Sequence, residues 1–242
     1  MKVFLINMAE SPQRLASADR QLRRLGVAYE RVEAVNGRLL TPEERRRAVN
    51  SFRWWCAIGR PIVPAEIGCA LSHATIYRHM VEEKIPYACV LEDDVVLDDR
   101  FREQLDFIAH NVNVAEAQVV LLSNHTQERH DGQAVIPTQQ DMFAEGYVLT
   151  RRAAEALLRE NYPMQTPCDH WGRWVKAQII RLYHAFPTVC CQDQVAFGST
   201  TSMGRVAATR NLSFLGYAVH KLKRVVGRTI DWALSGIERW GR

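Results

Sequence analysis

The chain has 242 residues, of which 47% are hydrophobic, and its formal net charge is +4. These values are typical of a globular protein with one substantial core, and they exclude a fibrous or disordered chain. The apolar stretch at 3–6 is too short for a signal-peptide core, no run approaches the ~18 apolar residues of a membrane span, and the six cysteines include no C-x-x-C pair. We therefore expect a cytoplasmic protein in a reducing compartment, without a zinc site.

The N-terminal part of the sequence alternates predicted strands and helices. Leu15, Ala18 and Leu22 fall on one helical face, and Gly26 supplies a stop. In chain order we predict a strand at 3–8, a helix beginning at Ser11-Pro12, a strand at 27–35, a short charged helix beginning at Thr41-Pro42, and an ordered loop at 50–65.

The alternation continues through the middle of the chain. We predict a helix from Glu66, a strand within 88–97, a helical segment near 99–110, a strand at 117–123, a polar loop at 124–141, a strand at 142–150 and a helix at 151–158. Several of these strands are continuously apolar. The pattern predicts an α/β fold with a mostly parallel sheet covered by helices on both faces.

The positive charge of the chain is concentrated at its C-terminal end. From Arg205 onward eight Lys or Arg residues face two acids, a balance of +6 that leaves the first 204 residues at −2. Apolar residues recur there at intervals of three or four, which predicts a basic amphipathic helix or helix pair. We therefore expect a main domain over 1–204 and a basic helical tail over 205–242.

Three consecutive carboxylates, Glu92, Asp93 and Asp94, stand between the apolar runs 88–91 and 95–97. Two carboxylates 4 Å apart repel by about 4 kcal/mol at an effective dielectric constant of about 20, so water, a basic side chain or a metal ion must compensate the cluster. Side chains alternate along a strand, so Glu92 and Asp94 should point one way and Asp93 the other. Such a pair can hold a hard cation, whereas a short acidic run on a solvated loop is the structural alternative.

Several sequence blocks occur in order over most of residues 1–170: VFLINMAESPQR, YERVEAVNG, AEIGCALSHATIYRHM, YACVLEDDVVL, and GYVLTRRAAEALL followed by PCDHW. Together they resemble glycosyltransferase family 25, which contains bacterial lipooligosaccharide galactosyltransferases and relatives of the collagen galactosyltransferases. The resemblance implies a GT-A type Rossmann-like fold, a UDP-sugar donor that is often UDP-galactose, a divalent cation such as Mn²⁺ or Mg²⁺, and inversion at the anomeric carbon.

The resemblance also assigns the acidic motif and the first strand-to-helix turn. Asp94 is the first candidate for direct metal contact, with Glu92 or Asp93 next. Asn7 and Arg14 lie in the turn expected near the uridine and the diphosphate, although Arg14 could equally be an exposed helix residue.

Further candidates for donor and metal binding come from two other blocks. Glu66, Ser72 and His73 are polar members of a largely apolar helix, with Glu66 and His73 on one face, and they either bind the donor or support the site. His184 and Gln192, near the C-terminal end of the main domain, are candidate contacts with the metal or the phosphates.

An inverting transfer needs a base that removes the proton of the acceptor hydroxyl. Asp169 in PCDHW matches the proline-x-aspartate position of the family, with Glu145 as a second candidate; the alternative for Asp169 is a helix cap. Trp171 and Trp174 could stack on a sugar face, although we expect at least one of them to pack in the core.

The sequence thus predicts a metal-dependent inverting glycosyltransferase that uses a UDP-sugar donor and an oligosaccharide or glycolipid acceptor of lipopolysaccharide or lipooligosaccharide. A Mg²⁺-dependent phosphohydrolase is one alternative, but it would need further carboxylates at neighbouring strand ends, and the strand at 117–123 ends without one. A non-catalytic transferase-like binding module is another, although the acidic motif is intact. No aromatic-basic nucleic-acid motif occurs in the chain.

The basic tail is expected to hold the enzyme at the anionic cytoplasmic face of the inner membrane, since each basic residue contributes about 1 kcal/mol there. A helix that packs on the main domain or binds a partner is the alternative. In a flotation assay with anionic liposomes, the full chain should float and a chain that ends at Gly204 should not. Equal binding of the two proteins would refute membrane attachment through the tail.

Overall fold

The computed structural model describes residues 1–126, 129–139 and 141–193, together with Val226. The predicted tail and its boundary after residue 204 therefore lie outside the described residues, apart from Val226. In chain order the elements are β1 (Lys2–Asn7), α1 (Pro12–Arg24), β2 (Glu30–Glu33), α2 (Pro42–Ala48), α3 (Ser51–Ile58), α4 (Pro64–Glu82), β3 (Tyr87–Glu92), β4 (Val95–Leu97), α5 (Phe101–Asn111), β5 (Gln118–Leu121), β6 (Ala134–Thr138), β7 (Gly146–Thr150), α6 (Arg151–Asn161), α7 (Trp171–Lys176), β8 (Arg181–Phe186) and β9 (Cys190–Gln192).

A seven-stranded sheet has the order β2-β1-β3-β7-β5-β8-β6. β1 is parallel to β2 and β3, and β5 is parallel to β8, whereas β7 is antiparallel to β3 and β5 and β6 is antiparallel to β8. Five of the seven strands therefore share one direction, and β6 and β7 run against them. The predicted α/β class is confirmed. A separate two-stranded ribbon pairs β4 with β9.

The core is built on the apolar strands of this sheet. Residues 88–91 of β3 are buried, as are the apolar residues of β1, β5 and β7. Helix α1 contributes Ala18 and Leu22 to this core, and helix α5 contributes Phe101 and Ile108. Burial of β3 along its length explains why its sequence is a continuous apolar run rather than an alternating one.

The described residues divide into two compact units. The first contains Met1–Val35 and the described residues of Ser72–Glu160 and Cys168–Gly198, and it holds the whole seven-stranded sheet. The second contains Asn36–Leu71 and Asn161–Pro167. In the second unit a β-bridge joins Val49 to Met164.

Two segments differ from the expectations drawn from sequence. The predicted loop at 50–65 contains helix α3, because Asn50 caps it by accepting the Arg53 N–H and Gly59 ends it in the left-handed conformation at φ 73°. The predicted polar loop at 124–141 contains β6, an edge strand that pairs only with β8 in the described sheet. The apolar run of β6 is short, because Pro137 follows Ala134-Val135-Ile136, and a proline in a run argues against a strand except at a sheet edge.

Two findings concern the expected compartment. All six cysteines are free thiols; Cys191 is exposed, Cys69 is partly buried and the other four are buried. Among the residues that the structure describes, none of the helices combines the length and apolar character needed to cross a membrane.

Gly146, the first residue of β7, is required by close packing against β9. A Cβ atom at this position would lie 2.6 Å from Cys190 Sγ and 3.2 Å from Leu91 Cδ2. We expect Gly146→Ala to lower the free energy of unfolding by about 1–3 kcal/mol in urea denaturation, because the added methyl overpacks the core. Since Cys190→Ala removes the clashing sulfur, the double variant should lose less than the sum of the two single losses. Strict additivity would contradict this packing explanation.

Candidate functional site

The acidic motif lies at the carboxyl end of β3. β3 is parallel to β1, with Glu92 opposite Ile6, and the chain turns at Asp93 and Asp94 before β4 begins. VLEDDVVL is therefore two short strands in different sheets joined by an acidic turn. This is the edge of an α/β sheet at which ligands generally bind.

Asp93 is held by the first strand-to-helix turn. Asn7 Nδ2, at the end of β1, donates to Asp93 Oδ2 at 2.6 Å, and Arg14 Nη1, in the first turn of α1, donates to Asp93 Oδ1 at 3.2 Å. Arg31 Nε in turn donates to Asn7 Oδ1 at 3.0 Å, which fixes the orientation of the amide. Arg14 thus belongs to the site and is not an exposed helix residue.

Side chains of α1 and β9 contact the Asp94 carboxylate. Arg14 Nη1 lies 3.3 Å from Asp94 Oδ2, and Gln192 Nε2 at the end of β9 donates to the same oxygen at 2.9 Å. Because one guanidinium contacts both aspartates, the expectation that Asp93 and Asp94 point to opposite sides is wrong. Alternation holds within a strand, and β3 ends before these residues.

The cluster is incompletely neutralised by its protein partners. Burial and the neighbouring Glu92 charge raise the pKa of Asp94 to about 7, and burial raises the pKa of Asp93 against the effects of Asn7 and Arg14. Because the folded pKa of Asp94 lies above its ordinary value of 3.8, its ionisation costs the protein stability as the pH rises from that value to about 7. Asp94 Oδ1 is buried with no hydrogen-bond partner among the described residues. An unpartnered carboxylate oxygen in an over-acidic cluster fits a hard divalent cation.

Glu92 is held by a chain of buried polar side chains. His73 Nε2 lies 3.2 Å from Glu92 Oε1, and His73 Nδ1 lies 2.7 Å from the Tyr147 hydroxyl. The Tyr147 hydroxyl also contacts the Tyr77 hydroxyl at 2.8 Å. His73, Tyr77 and Tyr147 are almost completely buried, so the position of the Glu92 carboxylate is set from within the core.

The other predicted members of the His73 block bind elsewhere. Ser72 Oγ accepts the Val35 N–H at 2.8 Å and so fixes the chain after β2. In the second unit, Glu66 accepts two hydrogen bonds from Arg60, at 2.8 and 2.5 Å, and one from the Val63 N–H. These contacts give Ser72 and Glu66 structural roles, and their predicted part in donor binding stays a prediction.

Glu145 connects the acidic motif to a second polar cluster. Its carbonyl accepts the Glu92 N–H at 2.9 Å, and its buried carboxylate contacts His125 Nε2 through Oε1 at 2.5 Å. The bond to Glu145 raises the pKa of His125, against the effect of burial. Glu145 Oε2 has no partner among the described residues.

Asp141 is hydrogen-bonded to both His125 and His184. Its Oδ2 accepts the His125 N–H at 3.3 Å and contacts His184 Nε2 at 2.7 Å. Burial alone would raise the pKa of Asp141, but the bonds from His184, Met142 N–H and His125 N–H outweigh it and the pKa lies below its ordinary value. His184, which the sequence predicts as a metal contact, is fully buried and is hydrogen-bonded to Asp141.

The PCDHW block leads into α7, which begins at Trp171 and has His170 as its N-cap residue. Asp169 is therefore not the helix cap, and its Oδ1 is buried without a partner in the described part of the chain. Trp171 and Trp174 are 0% and 3% exposed, so neither ring is presented for sugar stacking. Trp171 packs edge-on against Tyr147 and donates its indole N–H to the Phe143 carbonyl at 2.7 Å.

Sequence reasoning missed His125, Asp141, Tyr77 and Tyr147 as members of these networks. His125 and Asp141 stand in a polar segment without periodicity, and the two tyrosines are typical core residues by pattern. Only the hydroxyl groups of the two tyrosines distinguish them from apolar core residues, because a buried hydroxyl group needs a hydrogen-bond partner.

Comparison with known proteins gives a consistent family assignment. The model of a family described as glycosyltransferase family 25 (LPS biosynthesis protein) matches residues 1–145, a range that includes Asn7, Arg14 and the acidic motif and ends at Glu145. Procollagen galactosyltransferase 1-B of Xenopus laevis is 25% identical over 169 residues, which cover 65% of this chain and 28% of that protein. Human procollagen galactosyltransferase 2 is 24% identical over 188 residues, covering 70% of this chain and 29% of that protein.

A further relative is named as a protein without activity. The probable inactive glycosyltransferase 25 family member 3 of Rattus norvegicus is 32% identical over 114 residues, covering 46% of this chain and 20% of that protein. The chain spans less than a third of the length of each of these relatives. Similarity to them therefore does not by itself decide the activity of this chain.

The Tyr147 hydroxyl should contribute measurably to stability, because it contacts two buried polar groups. We expect Tyr147→Phe to lower the free energy of unfolding by about 1–3 kcal/mol, since His73 and the Tyr77 hydroxyl each lose a partner. Tyr87→Phe, at a partly exposed tyrosine that begins β3, is the control and should cost less. Urea denaturation of the two variants tests this order, and an equal or larger loss for Tyr87→Phe would contradict it.

Proposed function

This chain belongs to glycosyltransferase family 25, and on that premise we propose that it is a metal-dependent inverting glycosyltransferase. It transfers galactose from UDP-galactose to a hydroxyl group of a lipopolysaccharide or lipooligosaccharide glycan. The donor and sugar follow from the family resemblance and from relatives named as galactosyltransferases, and the acceptor class follows from the family description.

The observation that carries the proposal is the convergence of polar groups on Asp93 and Asp94. Asn7 from β1, Arg14 from α1 and Gln192 from β9 all donate to these two carboxylates. Even so, the pKa of Asp94 stays at about 7 because burial and Glu92 oppose its ionisation. A site that gathers carboxylates and still lacks positive charge is suited to a divalent cation and an anionic ligand.

The residues present fit Mn²⁺ or Mg²⁺. Asp94 would hold the cation, with Glu92 or Asp93 as a further ligand, and His73 would keep Glu92 oriented. When bound, the cation supplies Lewis-acid stabilisation of the charge that develops on the departing diphosphate. Asn7 at the end of β1 and Arg14 in the first turn of α1 lie beside this cluster, where they can bind the uridine diphosphate.

The transfer itself needs one proton acceptor. In the proposed reaction a carboxylate takes the proton of the acceptor hydroxyl, the freed oxygen attacks the anomeric carbon from the face opposite the diphosphate, and the bond to the diphosphate breaks. Asp169 and Glu145 are the candidates, each a carboxylate with one buried oxygen that lacks a partner among the described residues. Glu145 is further supported as the base because its carbonyl accepts the Glu92 N–H, which places it next to the acidic motif.

A non-catalytic module is the second candidate function, since several relatives carry names that describe them as inactive or probable inactive family members. In that case the acidic cluster would be a structural feature compensated by Arg14 alone. The raised pKa of Asp94 argues against this candidate, because it shows that the compensation is incomplete. The phosphohydrolase alternative gains no support from β5, which ends without a carboxylate.

Metal-dependent donor binding tests the proposal. With Mn²⁺, UDP-galactose should raise the melting temperature of the wild type and be slowly hydrolysed, and EDTA should abolish both effects. Asp94→Asn should remove the Mn²⁺-dependent shift and lower hydrolysis by at least about a hundredfold, because a direct ligand is lost.

The matched control is Asp106→Asn, which neutralises an exposed carboxylate on α5. It should behave as the wild type. Asp94→Asn should still fold, since it replaces a buried carboxylate that is costly to ionise with a neutral group of the same shape. Absence of any nucleotide-sugar response in the wild type, or an unchanged metal response in Asp94→Asn, would refute the proposed mechanism.

A further inference from the structure

The segment 141–145 presents an aromatic ring to solvent in an unfavourable backbone conformation. Phe143 has φ 77°, in the left-handed region that aromatic residues rarely adopt, and its side chain is exposed at 40% relative accessibility. Exposed aromatic surface and a left-handed backbone are both costly for a loop residue. Their combination in one residue points to a ligand rather than to folding.

Specific contacts hold Phe143 in this conformation. Trp171, itself fully buried, donates its indole N–H to the Phe143 carbonyl at 2.7 Å. Asp141 Oδ1 accepts the Met142 N–H at 2.6 Å and so fixes the turn before it. The Phe143 ring lies against the His125 ring with centroids 4.3 Å apart and planes inclined at 41°. These contacts therefore hold the Phe143 ring in a defined position while leaving it partly exposed to solvent.

The same contacts place the ring pair beside the proposed site. Glu145, two residues after Phe143, contacts His125 Nε2 at 2.5 Å and accepts the Glu92 N–H through its carbonyl. The His125 side chain is 30% exposed, and because Glu145 occupies Nε2 and no described residue bonds to Nδ1, Nδ1 is the nitrogen through which His125 can contact a ligand. An apolar ring face next to a fixed polar group is a combination suited to a sugar, which has an apolar face and hydroxyl groups at its edge.

We propose that the Phe143 and His125 rings form the subsite that receives a sugar ring of the acceptor. The apolar face of a pyranose lies on Phe143, and one of its hydroxyl groups bonds to His125 Nδ1. This inference rests on the proposed transferase function and names the part of the site that the donor does not occupy. A uracil ring could also stack on Phe143, and it is the competing occupant that the experiment has to separate.

Saturation-transfer NMR with methyl β-galactopyranoside and methyl β-glucopyranoside, with and without UDP and Mn²⁺, measures occupation of the subsite. Phe143→Ala should weaken glycoside binding by about two- to tenfold, the range expected for loss of one aromatic contact. Phe143→Leu keeps the apolar bulk and should weaken it similarly, whereas Phe143→Tyr should bind as the wild type. Met142→Ala, which alters a neighbour that is 48% exposed, is the matched control and should leave binding unchanged.

Calorimetric titration of UDP in the presence of Mn²⁺ separates the acceptor from the donor. The affinity for UDP should be the same in the wild type and in all Phe143 variants. A loss of UDP affinity in Phe143→Ala would assign the ring to the donor and overturn the subsite. Glycoside binding that is unchanged in Phe143→Ala, or absent from the wild type under both conditions, would overturn it as well. Failure of the proposed function is recognised separately, as a wild type that does not bind UDP with Mn²⁺.

Discussion

The neutralisation of three adjacent carboxylates at the end of β3 is the constraint on which the rest of the site depends. Glu92, Asp93 and Asp94 cannot share a buried strand end without partners, and the fold brings one from each of several elements. Asn7 ends β1, Arg14 begins α1 and Gln192 ends β9, and all three donate to Asp93 or Asp94. Hydrogen bonds to these carboxylates thus connect β1, α1 and β9 at one point, and Arg14 adds the one positive charge among the three partners.

The antiparallel strand β7 explains why a second polar cluster lies next to the first. β7 runs between β3 and β5 in the opposite direction, so it begins where its neighbours end. Glu145 immediately precedes β7 and is therefore beside Glu92, to which its carbonyl is hydrogen-bonded. A parallel strand at this position would carry its first residue to the far edge of the sheet. The reversal of one strand brings the acidic motif and the His125 cluster to the same edge of the sheet.

The sequence predicts those parts of the site that depend on local pattern. The apolar run of β3 and the Ser11-Pro12 helix start place Asp94 and Arg14 correctly at element ends. The alternation rule failed at Asp93 because the strand ends one residue earlier, and no local signal marks that end. His125 and Asp141 could not be predicted, since their partners are distant in the chain and their segment has no periodicity. The sequence predicts core packing for at least one of Trp171 and Trp174, but the bond of Trp171 to the Phe143 carbonyl depends on tertiary structure alone.

Family membership fixes the architecture without deciding activity, because relatives of this chain are named both as galactosyltransferases and as inactive. The proposed activity is supported instead by the energetic cost of burying Asp94. Asp94 is 4% exposed, has an oxygen without a partner among the described residues, and has a pKa of about 7 because its ionised form is disfavoured. A neutral side chain such as asparagine would keep the contact with Gln192 and avoid that cost. A chain with no ligand to bind would gain stability from that exchange, so the presence of a carboxylate at residue 94 supports the proposed cation site.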